Sequence, residues 1–213
     1  MRGNHEARPV DIPGMRLEYD EQVSGYVYME DNFPYIRYFV DGMDYIIDGK
    51  RVLVIGGAYS VDKYYRLARF HKDAKWTGWF ENEQLSPIER DLIEKFVEGE
   101  SYDIVLTHTC PRSWQPTDLF LHGINQATVD SSTEDWLDRL KDKFSWNIFL
   151  WGHYHKDRIE RPHCEMYFQD IEDLTTIWDR WNRNAPFDSF SREKSPYYYF
   201  NDNPWAEKIN KLK

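Results

Sequence analysis

Three short segments carry residue types whose spacing suits metal chemistry. Gly3-Asn4-His5-Glu6 joins a glycine that permits a sharp turn to a carboxamide and an imidazole. His108 follows the apolar run Tyr102 to Thr107, and Gly152-His153-Tyr154-His155 follows a second run, Trp146 to Trp151. Neutral imidazole is the commonest protein metal ligand, and loops at the ends of strands are where such ligands converge. In an extended segment His153 and His155 share one side, so they can serve one ion or two neighbouring ones. Asn4 offers a neutral oxygen to a cation, and His5 beside it can protonate a departing alkoxide. Each segment alone has a plainer reading: a surface histidine pair on a hairpin, a chance turn near the first residue, and a hydrogen-bonded core histidine at His108. With 11 Gly and 7 His in 213 residues, however, Gly-His-x-His is expected far less than once by chance.

In this order the three segments resemble the calcineurin-like metallophosphoesterases, over residues 2 to 155. The resemblance implies a metal-dependent phosphoesterase that hydrolyses phosphate mono- or diesters, phosphoproteins included. It implies that Asn4, His108 and His153 hold one metal, that His155 belongs to the other, and that His5 is the general acid. Two ions about 3.5–4 Å apart would clamp the phosphoryl oxygens while a bridging hydroxide attacks in line. Manganese, iron and zinc all suit histidine, asparagine and carboxylate ligands. The implied fold is a β-sandwich flanked by helices.

The pattern also departs from that family. An upstream Asp-x-His and a Gly-Asp-x-x-Asp or Gly-Asp-x-x-Asn would complete the second ion and bridge the pair, and neither occurs in the sequence. The expectation is therefore a phosphoesterase domain lacking its N-terminal βαβ portion, holding one ion instead of two. One sheet is expected to be short of strands, with an open edge. The alternative is a catalytically impaired remnant that acts as a binding domain or needs a separate chain, or a missing N-terminal segment, to complete its site.

Composition bounds the partners. A net charge of −10, from 27 basic and 37 acidic residues, opposes long polyanions and argues against nucleic acid. Bound divalent ions can still supply local positive charge for a phosphate ester. Only Cys110 and Cys164 are present, without Cys-x-x-Cys spacing, so neither a disulfide framework nor a thiolate zinc site is indicated, and a reducing cytoplasm is the simplest setting. No run approaches the roughly 18 apolar residues of a membrane span.

The elements that must position these residues form a mixed α/β (α+β) chain. Gln22 to Gly57 reads as β, with Asp48-Gly49 marking a tight hairpin and Val52 to Ile55 a strand buried on both faces. Ser86-Pro87-Ile88-Glu89 is a capping box opening a helix, with Ile88, Leu92, Ile93, Phe96 and Val97 as its apolar stripe and Gly99 as its end. A second helix begins near Ser131 or Ser132 and turns Trp136, Leu137, Leu140 and Phe144 inward. Residues 1–170 read as the phosphoesterase domain, and 171–213 as a helix plus an aromatic-rich tail packed on it. The Gly56 to Ser60 loop lacks the Gly-Lys-Ser/Thr ending of a P-loop, and is read either as a border of the active site or as a plain turn. Cys110 reads as a packed residue, His71, His122 and His163 as surface or core residues, and Arg2 and Arg8 as phosphate contacts or solvated charge.

Overall fold

The computed structural model describes residues 1–73 and 78–182. The chain divides into two compact units, Met1–Phe168 and Gln169–Lys213. The first holds a three-stranded antiparallel sheet, β1 (Arg16–Asp20), β2 (Gly25–Met29) and β3 (Tyr38–Phe39). Its second sheet is mixed and has six strands in the order β4 (Asp44–Ile47), β5 (Lys50–Ile55), β6 (Ser101–Thr107), β7 (Ser145–Trp151), β9 (Cys164–Met166) and β8 (Arg158–Arg161). Helices α1 (Lys63–Lys72), α2 (Pro87–Val97) and α3 (Ser132–Leu140) lie between the strands in sequence. No helix among the described residues is long and apolar enough to cross a membrane.

β4 and β5 pair antiparallel, and the turn between them puts Asp48 at φ 49° and Gly49 at φ 72°, the pair of positive values that a two-residue type I′ hairpin requires. β5, β6 and β7 are parallel, and their last residues lie in register: Ile55 opposite Thr107, Thr107 opposite Trp151. Parallel strands are buried on both faces, which is why Val52 to Ile55 form an unbroken apolar run with almost no exposure. Ser86 caps α2 through the expected reciprocal bonds with Glu89, and Gly99 takes the positive φ (79°) that follows the helix. Trp136, Leu137 and Leu140 of α3 join Val97, Val105 and Phe149 in the core, and Phe144 is buried with them.

Three expectations need correction. The stripe on α2 is only partly buried: Ile93 and Val97 enter the core, whereas Ile88 and Leu92 are 73% and 61% exposed and Phe96 is exposed as well. At about 100° per residue the five positions span half the helix circumference, and the core takes only the side that carries Ile93 and Val97. Within the Gln22 to Gly57 stretch read as β, the run from Tyr35 to Gly42 pairs over Tyr38–Phe39 alone. The β region also starts earlier than Gln22, at Arg16, and α1, β8 and β9 carried too weak a pattern to read from sequence. The β4 edge is partly covered, since Ile46 N–H donates to Val23 O at 2.8 Å.

In the second unit α4 (Leu174–Asn182) is the expected last helix, and Asp173 accepts from Thr176 N–H at 2.8 Å at its start. The aromatic-rich tail lies outside the described residues.

Candidate metal and phosphate site

The register of the three parallel strands builds the site. With Ile55, Thr107 and Trp151 side by side, the residues that follow them emerge at one edge of the sheet, where loops of open α/β sheets commonly form ligand sites. His108 N–H donates to Ile55 O at 3.0 Å and Gly152 N–H donates to His108 O at 3.1 Å, so the chain segments leaving β6 and β7 stay laced together past the strands. The N-terminal turn is tied to the same edge. Gly57 N–H donates to Arg2 O at 3.1 Å, and Glu6 accepts from Gly3 N–H at 2.9 Å, closing the Gly3-Asn4-His5 turn. Gly57 has φ 84°, and a Cβ there would meet Glu83 O at 2.3 Å, so no other residue fits this crossing.

Arg2 fastens that turn. Its guanidinium is buried, donating to Asp41 Oδ2 at 3.1 Å through Nη2 and to Glu83 O at 2.7 Å through Nη1. Arg8 pairs with Glu89 at 2.8 Å. Arg2 is therefore neither the phosphate contact nor the solvated charge considered from sequence, and Arg8 is held in an ion pair.

Asn4, His108 and His153 come together. Asn4 is 6% exposed, and its Oδ1 lies 2.9 Å from His108 Nε2 across 104 residues of sequence. The ring of His153 stands beside His108, centroid to centroid 5.2 Å. His5 and His155 line the same cleft as Asn4 and His153. The route to this convergence differs from the extended segment inferred from sequence. His153 and His155 both adopt left-handed backbone, φ 69° and 53°, so they do not alternate as in a strand. His155 is exposed and stacks on Phe168 with ring centroids 4.8 Å apart.

A chain of directed hydrogen bonds fixes the Asn4 amide. Asn4 Nδ2 donates to Ser60 Oγ at 2.9 Å, and Ser60 in turn donates through Oγ to Glu83 Oε2 at 2.5 Å and through its backbone N–H to Glu83 Oε1 at 2.9 Å. Because Ser60 spends its single hydroxyl proton on the carboxylate, it can only accept from Asn4. The amide nitrogen is thereby turned to Ser60 and Oδ1 to His108. Ser60 Oγ also lies 3.4 Å from His5 Nδ1, while Arg66 Nη2 donates to His5 Nε2 at 3.0 Å. Arginine cannot accept, so His5 carries its proton on Nδ1 and accepts at Nε2. To protonate a leaving group through Nε2, His5 must first release Arg66 and take up a proton at Nε2, since its one ring proton lies on Nδ1. Arg66 itself is held by Asp62 Oδ2 at 2.8 Å and by Gly78 O at 3.0 Å.

The electrostatics favour neutral imidazoles. Burial pushes His108 down to about 3, with the neighbouring His153 and Arg2 adding to it, and burial followed by repulsion from His155 and His5 pushes His153 down to about 4. Both rings are therefore neutral at neutral pH; His108 donates through Nε2–H to Asn4 Oδ1, and an ion held by these two atoms would require that proton to move to Nδ1. His5 is lowered first by burial and then by the Arg66 charge. Burial raises Glu83 and Glu134, and raises the Cys110 thiol so far that it is an inert packed group, as the sequence indicated.

Asn4 and His108 could hold one divalent ion. Asn4 Oδ1 and His108 Nε2 at 2.9 Å have the spacing of two adjacent ligands with bonds of roughly 2.1 Å, and the ring of His153 stands beside His108. They do not fit a pair. Among the described residues no group of three or more His, Cys, Asp and Glu side chains could hold an ion, so the one candidate group depends on Asn4. Of the carboxylates lining the cleft, Asp62 is engaged by Arg66, and Glu134 accepts from Thr109 Oγ1 at 2.8 Å through Oε1 while its buried Oε2 has no hydrogen-bond partner among the described residues. No family model matches this chain, and no curated protein or solved structure does either. His71, His122 and His163 are not among the cleft residues, and His163 Nδ1 pairs with Asn147 Oδ1 at 3.0 Å.

Ser60, Asp62, Arg66 and Glu83 are the site residues that sequence motifs did not supply. Of the two readings of the Gly56 to Ser60 loop, a border of the site or a plain turn, the structure favours the first, since Tyr59 lines the cleft and Ser60 bonds Asn4. Glu83 had no local signal, because its role depends on a buried contact with a residue 23 positions away.

Proposed function

We propose that this chain is a phosphoesterase domain of the calcineurin-like type, with a sandwich-like fold, acting in a reducing cytoplasm, in which Asn4, His108 and His153 hold one divalent ion. The observation that carries this reading is the 2.9 Å approach of Asn4 Oδ1 to His108 Nε2 beside His153, three neutral donors from three separate segments. Manganese, iron and zinc are the candidate ions. A bound ion would act as a Lewis acid on a phosphoryl oxygen. The chain's own residues have separate tasks: Ser60 and Glu83 aim the Asn4 oxygen, Arg66 supplies positive charge beside His5, and His5 carries the proton once Arg66 turns to the phosphate.

Hydrolysis at a useful rate calls for a second ion and a bridging carboxylate, which the described residues do not offer. In this reading a further segment, or a separate chain, provides them. The purified chain with manganese is expected to hydrolyse an aryl phosphate very slowly, and addition of a segment carrying Asp-x-His and Gly-Asp-x-x-Asp to raise turnover by several powers of ten, since each ~1.4 kcal/mol of transition-state stabilisation is tenfold. Fast hydrolysis by the chain alone, insensitive to His153→Ala, would remove this reading. Ion binding without any turnover in either form would leave the binding domain as the correct description.

A further inference from the structure

The same cleft has a second lining that the metal donors do not explain. The segment between β6 and α3 contributes Leu119, Phe120, Leu121, Ile124 and Val129, five apolar side chains next to the polar group of Asn4, His5, Arg66 and His153. Leu121 is 62% exposed, and the Phe120 ring lies nearly parallel to that of Tyr154, at 19° with centroids 6.4 Å apart. The cleft volume is about 230 Å³. That is below the roughly 300–1,000 Å³ typical of pockets for drug-sized ligands.

Charge narrows the occupant further. The charged lining apart from the histidines consists of Asp62, Arg66 and Glu134, and Asp62 is paired with Arg66, so little positive charge remains for a second phosphate or a polymer backbone. The chain as a whole carries −10. One phosphoryl group at the ion is the most this cleft accommodates electrostatically, and the rest of the ligand meets a wall that is mainly hydrocarbon, with Tyr59, Gln115 and Gln126 among its polar members.

We infer that the substrate is a small phosphomonoester whose organic part is a single apolar, ring-sized group, seated on Phe120, Leu121 and Ile124 while the phosphoryl group faces Asn4, His108 and His153. This rests on the phosphoesterase reading and names its substrate class. Apolar contact and stacking on Phe120 would hold the ring, and on the segment between β6 and α3 the polar side chains Gln115 and Gln126 are outnumbered by the five apolar ones.

Calorimetric titration of the manganese-loaded chain with inorganic phosphate, methyl phosphate and phenyl phosphate tests this directly. Phenyl phosphate is expected to bind roughly tenfold tighter than methyl phosphate, from the ring area taken out of water. The gap should close in Leu121→Asn, where an exposed side chain is changed and folding is not at risk, and in Phe120→Ala. Equal affinity of all three probes would overturn the substrate class while leaving the phosphate site intact. No binding of any probe would overturn the class together with the phosphoesterase reading. Binding of phenol as tight as phenyl phosphate, with or without manganese, would show an apolar ligand pocket instead and would also overturn it.

Discussion

Replacing Glu83 with glutamine should weaken metal binding at a residue that touches no metal. In the native arrangement Glu83 accepts twice from Ser60, from the backbone N–H at 2.9 Å and from the hydroxyl at 2.5 Å. Glutamine has one accepting oxygen, and the fixed backbone N–H claims it, so the side-chain amide must face Ser60 Oγ as a donor. The serine proton then has to turn to Asn4 or to His5. If it turns to Asn4, the amide flips and presents NH₂ where Oδ1 met His108. If it turns to His5 Nδ1, the ring must protonate Nε2, against the Arg66 donor 3.0 Å away. The first route deletes one of the three proposed ligands. Changes to groups that orient metal ligands typically cost 10–100-fold in affinity, or about 1.4–2.7 kcal/mol. Calorimetric titration with manganese or zinc measures the loss, and ¹⁵N NMR of the His5 ring reports the second route. Ser60→Ala should cost less, because it frees the amide without inverting it. A Glu83→Gln protein with unchanged metal affinity and an unchanged His5 tautomer would refute the relay.

Gly57→Ala should lower stability by about 2–3 kcal/mol, since it combines a left-handed φ with a Cβ 2.3 Å from Glu83 O, and thermal unfolding measures this. Arg2→Met should cost about 3 kcal/mol by leaving Asp41 and Glu83 O without their buried partner, and should detach the N-terminal turn, seen as faster hydrogen exchange at Gly57 N–H. The depressed pKa values of His108 and His153 mean that the unfolded chain binds more protons below about pH 6.5, so stability is full above that pH and falls as the pH drops toward about 4. Each ring contributes up to about 1.4 kcal/mol per pH unit in that window, and denaturant titrations at pH 7 and pH 5 should differ accordingly, with His153→Gln reducing the difference.

Much of this architecture is legible without coordinates. The hairpin at Asp48-Gly49, the capping box at Ser86, the two apolar runs before His108 and His153, and the inward residues of α3 are all local patterns with a physical cause in the chain itself. The site was legible only as three motifs with a common destination. What joined them, the matched ends of β5, β6 and β7, is a property of register between strands roughly 50 residues apart, which no local pattern specifies. The left-handed backbone at His153 and His155 was hidden as well: at His153 it belongs to a tight turn closed by Tyr154 N–H to Gly152 O at 2.8 Å, a conformation that histidine propensity does not select. The two-faced α2 shows the reverse limit, because an apolar residue in sequence declares what can be buried and not what is. Glu83, and the bond by which Ser60 joins it to Asn4, were invisible because a polar relay leaves no periodicity.

The most direct test of the proposed centre is the number of ions the purified chain holds and which histidines hold them. Titration with manganese or cobalt, followed by electron paramagnetic resonance or visible absorption, should find one ion per chain. Binding should be lost in His108→Ala and in His153→Ala and kept in His155→Ala, whose ring stacks on Phe168. Two ions per chain, or a single ion indifferent to His108 and His153, would contradict the site described here.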